Sequence, residues 1–286
     1  PGSRKDTLAV MAPELVAAFA EGLDLLTEVR RLAELAAGRV PDPFAYLPAE
    51  GRFHSRVQLK IQDGCDNRCT YCRVCLARGR SVSLDPATIV SRAAALAASG
   101  VAEIVLTGVN LSQYSSGGLD FPGLLRRLVS DTDHVAYRVS SYEPDKVDDA
   151  FLGAFALPRV RPHAHLSVQS GSDNILRSMA RRYDSRRVAD AVAGLRSARH
   201  DPFIGFDLIA GFPGESDTDF SSTLSLVEDT GPAWAHVFTY SPRPGTRAYG
   251  FGNRVPERVA VERAAVLRAH ALRLHEIGRA SCRERV

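Results

Sequence analysis

Apolar positions along the chain follow two alternating spacings. From about residue 55, short apolar runs typical of strands alternate with segments whose apolar residues recur at helical spacing. Strands are predicted over residues 57–61, 103–107, 135–139, 165–168, 203–209 and 234–239. Helices are predicted over residues 86–99, 121–129, 146–155, 185–199, 218–229 and 255–274. The chain therefore has the strand–helix alternation of the α/β class.

Strands that alternate with helices pair in parallel, either in a doubly wound sheet or in a barrel. Eight repeats would fill a complete barrel of about 250 residues, so six repeats favour a partial (β/α)6 TIM-like barrel. In both architectures functional residues lie on the loops that follow the carboxyl ends of the strands. The motifs described below all fall on such loops.

The two ends of the chain carry different signals. Residues 12–37 have apolar residues at helical spacing, and residues 40–50 include three prolines and read as a linker. Because the first methionine, Met11, lies inside the helical pattern, we expect residues 1–50 to be the helical remnant of a preceding domain and a linker. Residues 51–275 are the expected catalytic core. Residues 276–286 resemble a translated sequencing-library adapter and are expected to be an artefact.

Composition limits the class of protein only broadly. The chain has 286 residues, of which 45% are hydrophobic and 24% charged, and a formal charge of +3 that neither requires nor excludes a nucleic-acid partner. No apolar run approaches the roughly 20 residues of a membrane span, and no signal peptide is recognisable. We expect a cytoplasmic protein without a membrane partner.

Four of the five cysteines lie between residues 65 and 75. Cys65, Cys69 and Cys72 have the spacing C-x-x-x-C-x-aromatic-C on the loop after the first strand. Three thiolates on one short loop can bind three irons of a cubane cluster and leave the fourth iron open to a small molecule. Such clustering is typical of metal ligation in a reducing compartment rather than of a disulfide framework.

Two alternatives compete with the cluster. With Cys75, the cysteines could form a closed zinc site, although structural zinc usually takes its ligands from two separate segments. They could also be buried thiols, against which the polar neighbours Asp63, Asp66 and Asn67 argue. The role of Cys75 stays open, and a residue outside the ligand set is the preferred interpretation.

The sequence from Gln62 to Cys72, followed by Ala77 to Ser81, resembles the radical S-adenosylmethionine methylthiotransferase family. Five motifs in the family's order extend the resemblance from about residue 53 to residue 247. Its most similar members act on threonylcarbamoyladenosine in tRNA. The resemblance implies a barrel of the radical SAM type, a 4Fe–4S cluster held by Cys65, Cys69 and Cys72, and S-adenosylmethionine as the molecule that the cluster cleaves reductively.

The same resemblance suggests further site residues, all close to strand ends. The candidates for binding S-adenosylmethionine are Tyr71, Gly108, Asn110, Ser141, Glu143, Gln169, Ser170, Arg182, Asp207 and Gly211. The candidates for binding substrate are Tyr240 and Arg243. From the residues alone, simple turns, helix caps, a solvated basic face at Arg181 and Arg182, and a proline-rich exit loop are competing interpretations.

The implied activity is methylthiolation of threonylcarbamoyladenosine in tRNA. Family members carry a second 4Fe–4S cluster in an amino-terminal domain and grip RNA with a carboxy-terminal domain, and we expect both to be missing from this chain. The expected partners are tRNA, bound mainly through the missing domain, and a reducing electron donor. A ribosomal-protein aspartate methylthiotransferase and a zinc-bound, non-catalytic RNA-binding module are the alternative functions.

Overall fold

The computed structural model describes residues 43–44 and 56–283. The strands are β1 (Arg56–Lys60), β2 (Gln62–Asp63), β3 (Val82–Ser83), β4 (Glu103–Thr107), β5 (Ser115–Ser116), β6 (Leu119–Asp120), β7 (Ala136–Val139), β8 (Ser141–Tyr142), β9 (His163–Gln169), β10 (Phe203–Ala210) and β11 (Trp234–Thr239). The helices are α1 (Val74–Arg78), α2 (Pro86–Ala98), α3 (Phe121–Asp131), α4 (Asp149–Phe155), α5 (Asp173–Ser178), α6 (Ser185–Ala198), α7 (Asp217–Thr230) and α8 (Glu257–Arg283).

The longer strands form a parallel array in chain order. One sheet has the order β1-β4-β7, and a second has the order β8-β9-β10-β11. Only Ser140 separates β7 from β8, and the chain changes partner there: β7 pairs with β4 and β8 pairs with β9, both in parallel. The two sheets are therefore joined through one interrupted strand, as expected for a partial barrel.

The helices cover one face of this array, and the main core lies beneath them. Alternation along each strand sends one set of side chains to the helices, including Leu59, Leu106, Tyr137 and Leu166, which are at most 1% exposed. The alternate set faces the concave side and is more polar. Polar side chains that could take part in binding or catalysis therefore lie on the loops and on the concave face.

The six predicted strands and the helices between them are confirmed, with two local differences. The helix expected from residue 146 begins at Asp149, because Pro144–Lys146 forms a short 3-10 turn and the Asp148 side chain accepts from the Phe151 N–H at 2.9 Å. The helix expected to end at residue 274 continues to Arg283. The helical segment predicted over residues 12–37 lies outside the described residues.

Helix α8 is anchored to the loop after β10. The buried Arg263 pairs with the buried Glu215 at 2.7 Å, and the same Glu215 oxygen, Oε2, accepts from the Gly211 N–H at 2.9 Å. A Cβ atom at Gly211, where φ is +76°, would lie 2.3 Å from Ala260 Cβ. Gly211 is therefore required for the close approach of α8 to this loop.

No helix within the described ranges is both long enough and apolar enough to cross a membrane.

Candidate functional site

The cysteine loop follows β2 and ends in α1, at the carboxyl end of the first parallel strand. Gly64, with φ +70°, makes the turn into it, and the Cys65 N–H donates to the Gly79 carbonyl at 3.2 Å. Asp63 is fixed by Lys60 at 2.9 Å and by Arg78 at 3.5 Å. Both ends of the loop are thus held by local contacts.

Gln62 connects this loop to the end of β4, and the sequence reasoning gave it no role. Its side chain is fully buried, and its Nε2 donates to the Gly64 carbonyl at 2.9 Å and to Ser81 Oγ at 2.9 Å. Its Oε1 accepts from the Asn110 N–H at 2.8 Å. A Cβ at Gly108 would come within 2.9 Å of that oxygen, so Gly108 makes room for Gln62.

Nitrogen donors surround the sulfurs of the three motif cysteines. The Asn67 N–H donates to Cys65 Sγ at 3.5 Å, and the Val74 N–H donates to Cys72 Sγ at 3.4 Å. The Arg181 Nη1 donates to Cys69 Sγ at 3.2 Å. Hydrogen bonds to sulfur stabilise the anionic ligands of an iron–sulfur cluster and tune its potential.

Burial raises the pKa of the Cys65 and Cys72 thiols in the metal-free chain, against the hydrogen bonds from Asn67 and Val74. A metal ion deprotonates a coordinating thiol outright. Loading of the site is therefore expected to release protons.

The spacing of the sulfurs does not suit a single metal ion. In the part of the chain that the structure describes, no three cysteine sulfurs all lie within 4.8 Å of one another. A tetrahedral zinc with bonds of about 2.3 Å would hold its sulfur ligands about 3.8 Å apart. A cubane instead spreads its thiolates over separate irons, so it does not require three sulfurs that close to one another.

Glu143, at the end of β8, faces the cysteine loop and is 8% exposed. Its Oε1 accepts from Asn67 Nδ2 at 3.2 Å and from Asn110 Nδ2 at 3.5 Å, and its Oε2 pairs with the buried Arg181. Burial raises the pKa of Glu143 to about 7, against the opposing charge of Arg181. One guanidinium thus contacts both Glu143, a predicted cofactor residue, and Cys69, a predicted cluster ligand.

A cavity of about 410 Å³ opens beside this network. Of the predicted residues it is lined by Cys69, Asn110, Glu143 and Arg182. Much of its remaining wall is polar and includes the side chain of Ser112, whose Oγ accepts from the Glu143 N–H at 2.8 Å. A zwitterionic ligand of moderate size would find both acidic and basic groups here.

Tyr71, Gly211 and Tyr240 lie near a different feature, a small apolar cluster around Phe212. The rings of Tyr71 and Tyr240 meet Phe212 edge-on, with centroids 6.4 Å and 5.3 Å away. Burial raises the pKa of Tyr71, which keeps its hydroxyl neutral. The structure therefore brings these three predicted residues together, and one of them, Tyr71, belongs to the cysteine loop. Their roles in binding remain predictions.

Other predicted residues lie apart from the 410 Å³ cavity. Ser141 and Asp207 line a second cavity on the concave face of the barrel. Gln169 ends β9 with φ +68°, and Ser170 Oγ lies 3.3 Å from Thr223 Oγ1, a contact that ties this loop to α7. Arg243 is exposed on the loop after β11. The roles assigned to these residues stay predictions.

Substitution of Gly64 by alanine is expected to destabilise the chain more than the same change at Gly79. Both glycines have positive φ, but a Cβ at Gly64 would lie 2.0 Å from the Arg80 carbonyl oxygen, whereas a Cβ at Gly79 would meet nothing within 4 Å. Positive φ strains both variants, and Gly79, with ψ −160°, lies in a region that almost only glycine adopts, so an excess loss at Gly64 is due to the clash, about 1–3 kcal/mol. Urea unfolding of both variants measures it, and equal losses would contradict this account.

Comparison with known proteins gives concordant results. The sequence model of the radical SAM superfamily matches residues 59–227. The chain is 49% identical over 219 residues to the threonylcarbamoyladenosine tRNA methylthiotransferase MtaB of Treponema pallidum, covering 77% of this chain and 45% of that protein. It is 42% identical over 217 residues to the MtaB protein of Thermotoga maritima, covering 74% of this chain and 50% of that protein. The chain thus spans about half the length of the curated relatives it matches.

Solved structures of more distant proteins share the fold. The radical S-adenosylmethionine methyltransferase TsrM of Kitasatospora setae superposes with a TM-score of 0.57 at 17% identity, over 67% of this chain and 38% of that one. Methylornithine synthase PylB superposes with a TM-score of 0.51 at 16% identity, over 78% of this chain and 64% of that one. The partial barrel predicted from the sequence is thereby confirmed, whereas the family resemblance is confirmed by the radical SAM sequence model and the two MtaB relatives.

Proposed function

The chain belongs to the radical SAM superfamily, and from this premise we propose that Cys65, Cys69 and Cys72 hold a 4Fe–4S cluster at which S-adenosylmethionine is cleaved reductively. The observation that carries the proposal is the three-cysteine loop at the carboxyl end of the first strand, beside a polar cavity that Cys69 itself lines. When bound, such a cluster supplies the electron for cleavage of the sulfonium. The protein's own residues hold the ligands and orient the cofactor.

Three cysteines leave one iron of a cubane without a protein ligand. The amino and carboxylate groups of the methionine part of S-adenosylmethionine are suited to that open position. Asn110 and Glu143 offer hydrogen-bond partners for the amino group, and Arg182 offers a charged partner for the carboxylate, because all three line the cavity next to Cys69. This lining supports the proposed binding of a zwitterion.

Tyr71, Gly211 and the loop after β10 are proposed to border the adenine. The edge-on contact of Tyr71 with Phe212 supports this, since it provides an apolar surface beside the cysteine loop. Gly108, Gln169 and Ser170 are proposed as backbone and hydroxyl groups of the same site. Ser141 and Asp207 are proposed to contact the part of S-adenosylmethionine that reaches inside the barrel, because both line the cavity on the concave face.

We propose further that the longer protein to which this chain corresponds methylthiolates threonylcarbamoyladenosine in tRNA, because the two MtaB relatives carry that name. Tyr240 and Arg243, on the loop after β11, are proposed to meet the nucleotide. A second 4Fe–4S cluster and an RNA-binding domain are proposed for that longer protein. A reducing electron donor and a cytoplasmic setting complete the proposal.

Anaerobic reconstitution of the chain with iron and sulfide tests the first step. A brown protein with about four irons is expected. Addition of dithionite and S-adenosylmethionine is expected to release 5′-deoxyadenosine, measured by chromatography. A colourless protein that takes up one zinc and leaves S-adenosylmethionine intact would overturn the proposal in favour of a non-catalytic zinc module.

The substrate is tested separately with the corresponding full-length protein and tRNA containing threonylcarbamoyladenosine. Mass spectrometry of the digested tRNA is expected to find the methylthio group on that nucleoside. Methylthiolation of a ribosomal-protein aspartate instead would contradict the proposed substrate while leaving the proposed cleavage chemistry intact. The 286-residue chain alone is expected to cleave the cofactor without completing methylthio transfer.

A further inference from the structure

Three potential metal ligands converge on the concave face of the barrel. His165, Asp207 and His236 lie on the neighbouring strands β9, β10 and β11 and line a cavity of about 530 Å³. This cavity shares no lining residue with the cavity beside the cysteines. Among the described residues, these three form the one group of histidine, cysteine, aspartate and glutamate side chains whose ligand atoms all lie within 4.8 Å of one another.

The distances between the ligand atoms fit a single ion. His165 Nε2 lies 2.9 Å from Asp207 Oδ1, and His236 Nδ1 lies 3.5 Å from the same oxygen. Bonds of about 2.1 Å hold adjacent ligand atoms about 3.0 Å apart in octahedral geometry and about 3.4 Å apart in tetrahedral geometry. Two imidazoles and one carboxylate also form a ligand set that zinc and iron(II) use in catalytic sites.

The strand register explains why these side chains meet. Asp207 lies directly opposite His236 in the β10–β11 pairing, and His165 lies opposite Gly205, two residues before Asp207. A Cβ at Gly205 would come within 3.0 Å of His165 Nδ1, so the glycine leaves room for the imidazole. The shift in the β9–β10 register between Phe206 and Leu208 falls at Asp207 itself.

The site is open on the side of the cavity. The side chains of His165 and Asp207 are 14% and 21% exposed, and that of His236 is 52% exposed. Ser140, whose buried Oγ has no hydrogen-bond partner within the described structure, lines the same cavity. Three protein ligands facing an open space leave coordination positions for water or for an oxygen or nitrogen atom of a bound molecule.

We propose that His165, Asp207 and His236 bind a divalent transition-metal ion inside the barrel, separate from the cysteine site. The ion takes three protein ligands and keeps its remaining positions toward the cavity. A plain ion pair would need only one histidine, whereas here both histidines approach the same carboxylate oxygen. The inference assigns Asp207 to the metal ion instead of to S-adenosylmethionine, and it uses no residue of the cysteine loop or of the cavity beside it.

Zinc is the probe for the test, added to the chain after its cysteines have been loaded with iron and sulfide. Equilibrium dialysis followed by elemental analysis is expected to find one tightly bound zinc in addition to the iron. X-ray absorption at the zinc edge is expected to show nitrogen and oxygen neighbours at about 2.0–2.1 Å, whereas binding at free cysteines would show sulfur at about 2.3 Å. Because X-ray absorption identifies the atoms bound to zinc directly, the measurement is informative whether or not the iron–sulfur cluster is loaded.

His236→Ala is the decisive variant, since this side chain is half exposed and its loss leaves the His165–Asp207 pair intact. Zinc affinity is expected to fall at least about tenfold. Asp207→Asn is expected to have a similar effect, and His200→Ala, at an exposed position that does not line the cavity, is the matched control with unchanged affinity. Sulfur-only ligation, or equal zinc affinity in wild type, His236→Ala and Asp207→Asn, would overturn the proposal.

Discussion

Replacing any one of Cys65, Cys69 and Cys72 by alanine is expected to abolish both loading of the iron–sulfur cluster and release of 5′-deoxyadenosine. Each of the three sulfurs accepts a hydrogen bond from a nitrogen donor supplied by a different part of the site, namely Asn67, Arg181 and Val74. A cubane held by two cysteines instead of three has lost one third of its protein ligands. Because mutation even of residues that only support a ligand costs about 10–100-fold in metal affinity or activity, loss of a ligand is expected to exceed that range.

Cys75→Ala is the matched control for this series. Cys75 lies in α1, and the geometry of the sulfurs argues against a closed four-cysteine site around one ion. Its variant is therefore expected to keep the brown colour, about four irons and full cleavage. Absorbance, iron analysis and chromatography of the products are measured on all four variants. Loss of metal in Cys75→Ala equal to that in the other three would assign Cys75 to the ligand set.

The fold could be predicted in detail because a parallel α/β array imposes two clearly different periodicities on one sequence. The six strands and the helices between them follow from that pattern alone. The interruption at Ser140 could not be predicted, because the change of partner from β4 to β9 depends on the curvature of the whole array. Burial alternates within each strand but changes phase across Ser140, with Tyr137 and Val139 buried in β7 and Tyr142 buried in β8.

Within the site, proximity to a strand end correctly predicted which residues lie together. The direction of each side chain could not be predicted in the same way. Asn110, Glu143 and Cys69 meet as the motifs suggested, since the carboxyl ends of neighbouring parallel strands lie together. Asp207, although close to the carboxyl end of β10, points to the concave face with the two histidines. Strand alternation fixes that direction, and a motif that spans a strand and its loop does not reveal it.

Two glycines show the same limit of prediction from the sequence. Gly211 was a candidate for binding the cofactor, and the structure shows that α8 approaches it through Ala260. Gly108 likewise accommodates the side chain of Gln62. A glycine signals a close approach, but the sequence does not identify the neighbour.

The neighbouring arginines also illustrate this limit. From the sequence, Arg182 was the candidate for binding the cofactor, and a solvated basic face was the competing interpretation for Arg181 and Arg182. Ala180 has a left-handed backbone with φ +57°, after which Arg181 turns inward to Glu143 and Cys69 while Arg182 is exposed at the cavity rim. The sequence Ala-Arg-Arg does not predict a left-handed backbone at the alanine.

Arg181→Met is expected to be strongly destabilising, because Arg181 is the charged partner of a buried carboxylate. Its side chain is 4% exposed and that of Glu143 is 11% exposed. Arg181 Nε also donates to Tyr183 Oη at 2.8 Å, and its Nη2 donates to the Ser167 carbonyl at 3.1 Å. Removing one member of a buried ion pair typically costs about 3–5 kcal/mol, because Glu143 must then either stay charged without a partner or take up a proton.

Arg182→Met provides a control one residue away, with the same change in size and charge. Since Arg182 is exposed, its free energy of unfolding is expected to change by no more than about 0.5 kcal/mol. Urea unfolding of the metal-free variants, with the slope checked for constancy, measures both. Equal stability of the two variants would contradict the importance assigned to the Arg181–Glu143 pair.

Adding Glu143→Gln to Arg181→Met separates the loss of charge pairing from the loss of packing. The double variant removes the carboxylate that Arg181→Met leaves buried, so it is expected to recover part of the lost stability. The recovered part measures the penalty of the unpaired charge, whereas the remainder measures the contacts of Arg181 with Tyr183 and Ser167. If the two substitutions instead add their separate costs, the carboxylate and the guanidinium act independently, and the arginine supports the site through its contacts with Cys69, Ser167 and Tyr183 alone.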